Sequence, residues 1–118
     1  MRKSLMLIIN PVSGKGQAKT AMFDILSVFS ESDYAVTVFM TGKKGDAEEM
    51  ARNESGKFDV VVCVGGDGTL SEVMSGLMQA EAPPPLGYIP VSYTHLDVYK
   101  RQITENICNL LLTREHTI

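Results

Sequence analysis

Phe58-Asp59-Val60-Val61-Val62-Cys63-Val64-Gly65-Gly66-Asp67-Gly68-Thr69-Leu70-Ser71-Glu72-Val73-Met74 decides the fold. Its first part, Asp59 to Val64, is a short apolar run rich in β-branched residues, the composition of a strand buried on both faces of a parallel sheet. From Leu70 the apolar period changes. Leu70, Val73, Met74, Leu77 and Met78 recur at the spacing of one helix face, and Thr69 with Glu72 fits a capping box at its start. A glycine-rich turn therefore joins a buried strand to a helix. Glycines admit positive φ and close backbone approach, and a helix N-terminus offers free N–H groups and a positive dipole end, which together suit a phosphate. A generic strand-to-helix turn has the same local look, and Glu72 reads first as a helix cap. Asp67 is harder to explain as filler, because a carboxylate in a phosphate turn repels the anion unless a metal ion or a substrate proton engages it. The glycine spacing is not that of a dinucleotide-binding fingerprint, which argues against a redox protein.

Working outward, the same unit appears at the start of the chain. Leu5 to Ile9 reads as a second buried strand, Asn10-Pro11-Val12-Ser13-Gly14-Lys15-Gly16 as its turn, and Ala18, Ala21, Met22, Ile25, Leu26 and Phe29 as one helix face, with Lys19, Asp24 and Ser27 toward solvent. Ser13, Lys15 and the turn's N–H groups make a sensible lining for phosphate oxygens, although a solvated loop fits as well. The turn is not a Walker A loop, since Gly16 follows the lysine where that motif needs Ser or Thr. Tyr34 to Met40 predicts a third strand ending at Thr41-Gly42. Asp46-Ala47-Glu48-Glu49 predicts a helix capped by Asp46 with Glu49 reaching back, and Ala47, Met50 and Ala51 form its short apolar face. Ala82-Pro83-Pro84-Pro85 stops the helix after the central turn, and Leu86 to Ile89 predicts a fourth strand. Strands alternating with amphipathic helices predict an α/β domain with a parallel sheet, helices on both faces and right-handed crossovers. Ligands of such sheets bind at the carboxyl ends of the strands, where Asn10 to Gly16, Thr41 and Gly65 to Thr69 all lie.

The composition bounds the rest. With 118 residues, the chain supports one modest core. Its net charge of −3, with 21% charged residues, leaves no basic surplus for nucleic acid, so any anion site must be local. Cys63 and Cys108 lack metal-ligand spacing and read as reduced structural residues. The apolar run Leu5 to Ile9 ends at Asn10-Pro11, too short for a signal-peptide core or a membrane span, so a cytoplasmic location is the default expectation.

Four segments together resemble the N-terminal catalytic domain of the diacylglycerol kinase family, bacterial lipid kinases above all: Asn10 to Gly16, Thr41 with Gly45-Asp46-Ala47, Gly65 to Val73, and Leu86 to Pro90. The resemblance covers residues 1–90. It implies a three-layer Rossmann-like fold shared with the NAD kinases, and an enzyme using ATP and Mg2+ to phosphorylate a lipid hydroxyl at a membrane surface, cytoplasmic or membrane-peripheral, with room for a homodimer. It implies that Asn10, Pro11, Val12, Ser13 and Gly14, together with Gly65, Gly66, Asp67, Gly68, Thr69, Leu70, Ser71 and Glu72, line the ATP phosphates, with Thr41 near the nucleoside. Asp67 would assist catalytically near the metal or the attacking hydroxyl. The alternatives are an NAD kinase-like enzyme, which shares Gly65 to Thr69, and a nucleotide-binding module without catalysis.

The chain also departs from the family. Beyond Pro90 the family carries a Gly-Thr/Ser-x-Asn-Asp-Phe segment that helps close the nucleotide site, where this chain has Val91-Ser92-Tyr93-Thr94-His95-Leu96. The family's second, mostly β domain, which supplies metal-associated acids and much of the lipid site, does not follow, so the chain reads as a fragment. Asp97 to Gln102 can be written GAT GTG TAT AAG AGA CAG, and the reverse complement encodes Val91 to His95 in frame with the end of the Pro90 codon. Residues 91–102 thus resemble two joined sequencing-adapter ends, a non-native insert, and neither His95 nor Lys100-Arg101 supports a functional reading. Residues 103–118 read as a return to the family sequence, with Ile103, Ile107, Leu110 and Leu111 at helical spacing and His116 exposed.

Overall fold

Five consecutive side chains, Leu5 to Ile9, have no solvent exposure at all, and neither do Val60 to Val64. Only a strand covered on both faces can bury every side chain in succession, because neighbours point to opposite sides. The computed structural model, which describes residues 2–91, pairs these two strands side by side at the centre of a four-stranded parallel sheet. The strands are β1 (Lys3–Ile9), β2 (Tyr34–Met40), β3 (Val60–Gly65) and β4 (Leu86–Pro90), in spatial order β2-β1-β3-β4. All three pairings are parallel, and in register Leu5 stands opposite Val36 on one side and Val60 on the other.

Three helices connect them: α1 (Gln17–Glu31), α2 (Asp46–Glu54) and α3 (Asp67–Met78). On one face Leu5, Leu7, Ile9, Val60, Val62 and Val64 pack against Ala18, Ala21, Ile25 and Phe29 of α1. On the other, Met6, Ile8, Val61 and Cys63 pack against Ala47 and Ala51 of α2 and Val73 and Leu77 of α3. The alternation of faces along each central strand thus assigns one helix to one layer and two to the other. Burial pushes the Cys63 thiol up to about 12, so it is a packed apolar group, protonated and inert at neutral pH.

All four expected strands form. Asp59 lies just outside β3, where its carboxylate accepts hydrogen bonds from the Ser4 N–H at 2.8 Å and the Ser4 hydroxyl at 3.2 Å, tying the entrance of β3 to β1. The α3 face is rotated from the expected one. Thr69, Val73, Gly76 and Leu77 are buried, while Met74 and Met78 are 49% and 83% exposed. The cause is Gly76, over which α2 passes so closely that an added Cβ would strike the Glu48 carbonyl oxygen and sit 2.7 Å from the Ala51 Cβ. Contact at that range needs the smallest residue at the crossing, and it turns the methionines outward. The expected insert at 91–102 beyond Val91, the C-terminal segment 103–118 and Cys108 lie outside the described residues. Among the described residues no helix is long and apolar enough to cross a membrane.

The crossing yields a test with an inverted sign. Gly to Ala inside a helix ordinarily gains up to about 1 kcal/mol, but Gly76→Ala should destabilise by about 1–3 kcal/mol through overpacking. Gly56→Ala, where nothing lies within 4 Å of the new methyl, should stay within about 0.5 kcal/mol. Urea denaturation of both variants measures this, and a neutral Gly76→Ala would mean that α2 and α3 are not in close contact.

Candidate functional site

The order β2-β1-β3-β4 has one switch point. From β1 the chain moves to β2 through α1 on one face, and from β3 it moves to β4 through α3 on the other. The turns leaving β1 and β3 therefore diverge from adjacent strands and leave a crevice at their carboxyl ends, the usual ligand position in such sheets. A cleft of about 430 Å³ occupies it, lined by Asn10, Val12 and Ser13 after β1, by Thr41 to Lys44 and Ala47 after β2, and by Gly66, Gly68, Thr69 and Glu72 after β3. That volume suits a nucleotide-sized molecule better than a lone phosphate.

Hydrogen bonds that cross between the three turns build the cleft. Asn10 acts in two directions: its Oδ1 accepts from the Val12 N–H at 3.2 Å, folding the turn, and its Nδ2 donates to Thr69 Oγ1 at 3.4 Å. The Thr41 N–H donates to the Ile9 carbonyl at 2.9 Å, extending the sheet ladder into the second turn. Within that turn the Asp46 carboxylate accepts from the Gly42 N–H at 2.7 Å and the Lys43 N–H at 2.9 Å. Glu72 Oε1, reaching across from α3, accepts from the Gly45 N–H at 3.0 Å. The Gly42 N–H chiefly holds the Asp46 carboxyl below the ordinary aspartate range; desolvation, the next largest effect, opposes it, and the Lys43 N–H and the Lys43 charge add to the lowering.

Two local expectations change here. Helix α3 begins at Asp67 with Gly66 at its cap, so Thr69 and Glu72 lie within the helix and their side chains bond other elements in place of closing a capping box. Asp46 is the first residue of α2, whose cap is Gly45 with φ +95, and its carboxylate closes the turn before the helix. Glu49 contributes its backbone N–H to the Gly45 carbonyl at 3.1 Å, so the expected side-chain reach is replaced by an ordinary helical bond.

Of the residues expected at the site, Asn10, Val12, Ser13, Thr41, Gly66, Gly68, Thr69 and Glu72 line the cleft, and Pro11, Gly14, Gly65, Asp67, Leu70 and Ser71 stand beside it. Gly14, in the left-handed region at φ +61, turns against the backbone of Val91, whose carbonyl a Cβ would strike. Gly65 ends β3, and its carbonyl accepts from the Tyr88 hydroxyl at 3.2 Å and the Val91 N–H at 3.3 Å. A Cβ on it would come within 2.9 Å of Thr69 Oγ1, so its missing side chain is what lets Thr69 reach Asn10. Asp67, Leu70 and Ser71 line a separate groove of about 380 Å³ with Met74, Ser75 and Met78 on the outer side of α3. Burial first, then the charge of Asp67, raises the Tyr88 hydroxyl above its ordinary range and keeps it a hydrogen-bond donor.

Lys43 and Lys44 were absent from the expected set, yet they, and not Lys15, are the cations on the cleft wall. Their signal was a pair of lysines between Gly42 and Gly45, immediately after a predicted strand.

A sequence profile for the diacylglycerol kinase catalytic domain matches residues 4–96, and the chain belongs to that family. It is 39% identical over 92 residues to a diacylglycerol kinase of Staphylococcus saprophyticus and 40% identical over 92 residues to one of Staphylococcus aureus. Both alignments cover 77% of this chain, and 30% and 29% of those relatives. The solved structure of a diacylglycerol kinase from Bacillus anthracis matches with a TM-score of 0.68 at 30% identity, over 75% of this chain and 33% of that one. The fold is thus that of the family, and the match favours the lipid-kinase type over the NAD kinase alternative. The chain spans about 30% of the length of the curated relatives it matches.

The turn around Asp46 gives a pH test. A carboxyl with a lowered folded pKa contributes its stability in full above the ordinary value of 3.8 and loses it as pH falls through the lowered one. The Gly42 and Lys43 amide resonances should therefore shift in a step with its midpoint below pH 3.8, and Asp46→Asn should abolish that step. A midpoint at or above the ordinary value would show that the carboxylate does not accept from these amides in solution.

Proposed function

We propose that the chain is the nucleotide-binding portion of an ATP-dependent lipid kinase of the diacylglycerol kinase type, with residues 1–90 forming the ATP-binding part of its catalytic domain. The observation that carries the reading is the meeting of two glycine-rich turns in one cleft, joined by the bond from Asn10 Nδ2 to Thr69 Oγ1. In this reading the ATP phosphates lie between Asn10 to Gly14 and Gly65 to Glu72, where α3 directs its first N–H groups and its dipole, and the nucleoside lies toward Thr41. The acceptor comes from the other side of the same turn. Asp67 stands at the head of the groove lined by Leu70, Met74 and Met78, so the one carboxylate of the turn lies between the phosphate cleft and an apolar strip that suits a lipid.

The donor set also suits magnesium carried by the nucleotide. Among the described residues no group of three or more His, Cys, Asp or Glu is placed to hold a metal unaided. Magnesium commonly binds through one or two carboxylates plus substrate phosphates, and Asp67 is the carboxylate at hand. Bound there, the ion would neutralise charge on the transferred phosphoryl group.

Positioning limits what this chain does alone. Phosphoryl transfer needs donor, metal and acceptor in line, and a misplacement of about 1 Å can lose roughly a hundredfold in rate. The 118 residues span about 30% of the length of the curated relatives, with Val91-Ser92-Tyr93-Thr94-His95-Leu96 where the family's closing Thr/Asn segment is expected, and by themselves they are expected to bind Mg–ATP weakly and to phosphorylate no lipid. In a protein of the relatives' full length that carries the closing segment, Asp67→Asn should nearly abolish turnover while the fold persists, since it removes a charge without changing shape. Transfer of radiolabel from ATP to diacylglycerol checks both statements. Label incorporated by the 118 residues alone would refute the first, and full turnover by the full-length Asp67→Asn protein would take Asp67 out of the mechanism.

A further inference from the structure

We infer that Lys43 and Lys44 supply the cleft's positive charge toward a polyphosphate, and that Glu72 is the positioning residue that holds their turn in place. The inference rests on the nucleotide reading above and assigns Glu72 a different task from direct contact with the ligand.

A turn between a strand and a helix usually offers an anion its backbone N–H groups. This one offers few. Asp46 takes the Gly42 and Lys43 N–H groups and Glu72 takes that of Gly45, so three donors of Gly42 to Gly45 are already spent on carboxylates. Beyond the Lys44 N–H, what the turn can still present to an anion is its lysine side chains, and both lysines line the cleft. Among the described residues no other Lys or Arg does. The opposite wall, made by Asn10, Val12, Ser13, Gly66, Gly68 and Thr69, brings N–H groups and hydroxyls but no cation. Among the described residues, a triphosphate lying in the cleft therefore meets neutral donors on one side and full positive charge from the Lys43–Lys44 side.

The turn needs an external tie. Gly42 and Gly45 flank the lysines, and Gly45 has φ +95, so the backbone there is intrinsically loose. Asp46 braces the first half of the turn from within, and backbone bonds hold the Lys43 and Gly45 carbonyls, whereas the Gly45 N–H is held by a partner outside the turn. Glu72 provides that partner from α3, 27 positions away, and α3 itself is seated on α2 at Gly76. The bond thus couples the lysine turn to the same helix whose N-terminus faces the cleft. Positional control of this kind needs a hydrogen-bond acceptor at residue 72. It does not need a negative charge, which would oppose phosphate binding.

Titration of the full 118-residue chain, followed by amide NMR, separates these roles. ATP, inorganic tripolyphosphate and adenosine are added in turn to wild type, to Lys43→Ala/Lys44→Ala, to Glu72→Ala and to Glu72→Gln. Removing both lysines should weaken ATP and tripolyphosphate on the order of tenfold, flatten the salt dependence and leave adenosine unchanged. Glu72→Ala should lose a similar amount of polyphosphate affinity, with faster exchange of the Gly45 amide and thermal unfolding close to wild type. Glu72→Gln keeps an acceptor, so it should restore Gly45 protection and bind ATP at least as tightly as wild type. Unchanged affinity in the double lysine variant overturns the charge assignment. Equal losses in Glu72→Ala and Glu72→Gln would overturn the positioning role and make the carboxylate itself a ligand. If wild type binds neither ATP nor tripolyphosphate, the nucleotide reading itself fails, an outcome distinct from binding that these variants leave untouched.

Discussion

The pairing of β1 with β3 is the constraint on which the rest of the structure depends. Residues 10–59 separate the two strands in sequence, yet they lie side by side from Leu5–Val60 to Ile9–Val64, with every side chain in that register fully buried. Parallel strands cannot be joined by a tight turn, so each connection must leave the sheet as a crossover. Because β2 lies outside β1 and β4 outside β3, the crossovers leave in opposite directions and the sheet opens between them. The cleft is a consequence of that strand order before any polar residue is considered. Polar residues then decide what the opening can hold.

Packing and polar bonding are coupled through α3. Gly76 lets α2 approach, and the rotation of α3 that follows turns Thr69, Val73 and Leu77 inward and Met74 and Met78 outward. The same rotation sets Thr69 toward Asn10 and Glu72 toward Gly45. One close helix crossing therefore aligns two hydrogen bonds at the opposite end of the helix.

Much of this was legible in the sequence because its signals are local. Asp59 to Val64 could be read as a central strand since no solvent-facing alternation interrupts it, and the α1 face from Ala18 to Phe29 follows directly from helical spacing. Several of the misread residues have partners far away in the chain. Thr69 and Glu72 match a capping box at short range, but their partners are Asn10 and Gly45, 59 and 27 positions distant. Asp46 looks like a cap and instead closes the turn behind it, because Gly45 already turns the chain at positive φ. Met74 and Met78 fit the apolar period of α3, and only the position of α2 reveals that they stay outside. Lys15 and the Lys43–Lys44 pair look alike in sequence, and the path of each turn decides which one reaches the cleft.

The position of Asp67 resolves the conflict that its sequence context poses. A carboxylate flanked by glycines would repel a phosphate held by the same turn. In the fold the turn has two sides: Gly66, Gly68 and Thr69 face the cleft, while Asp67 begins α3 on the side of Leu70, Ser71 and Met74. The neutral groups meet the cleft and the charge stands one residue away from it, exposed, with Tyr88 near enough to feel it electrostatically. Glycines on both sides make that division possible, since no neighbouring side chain fills the space between the two grooves. Cleft and carboxylate are thereby held apart by the helix start itself, the separation on which the proposed site relies, with an anion on one side of the turn and Asp67 on the other.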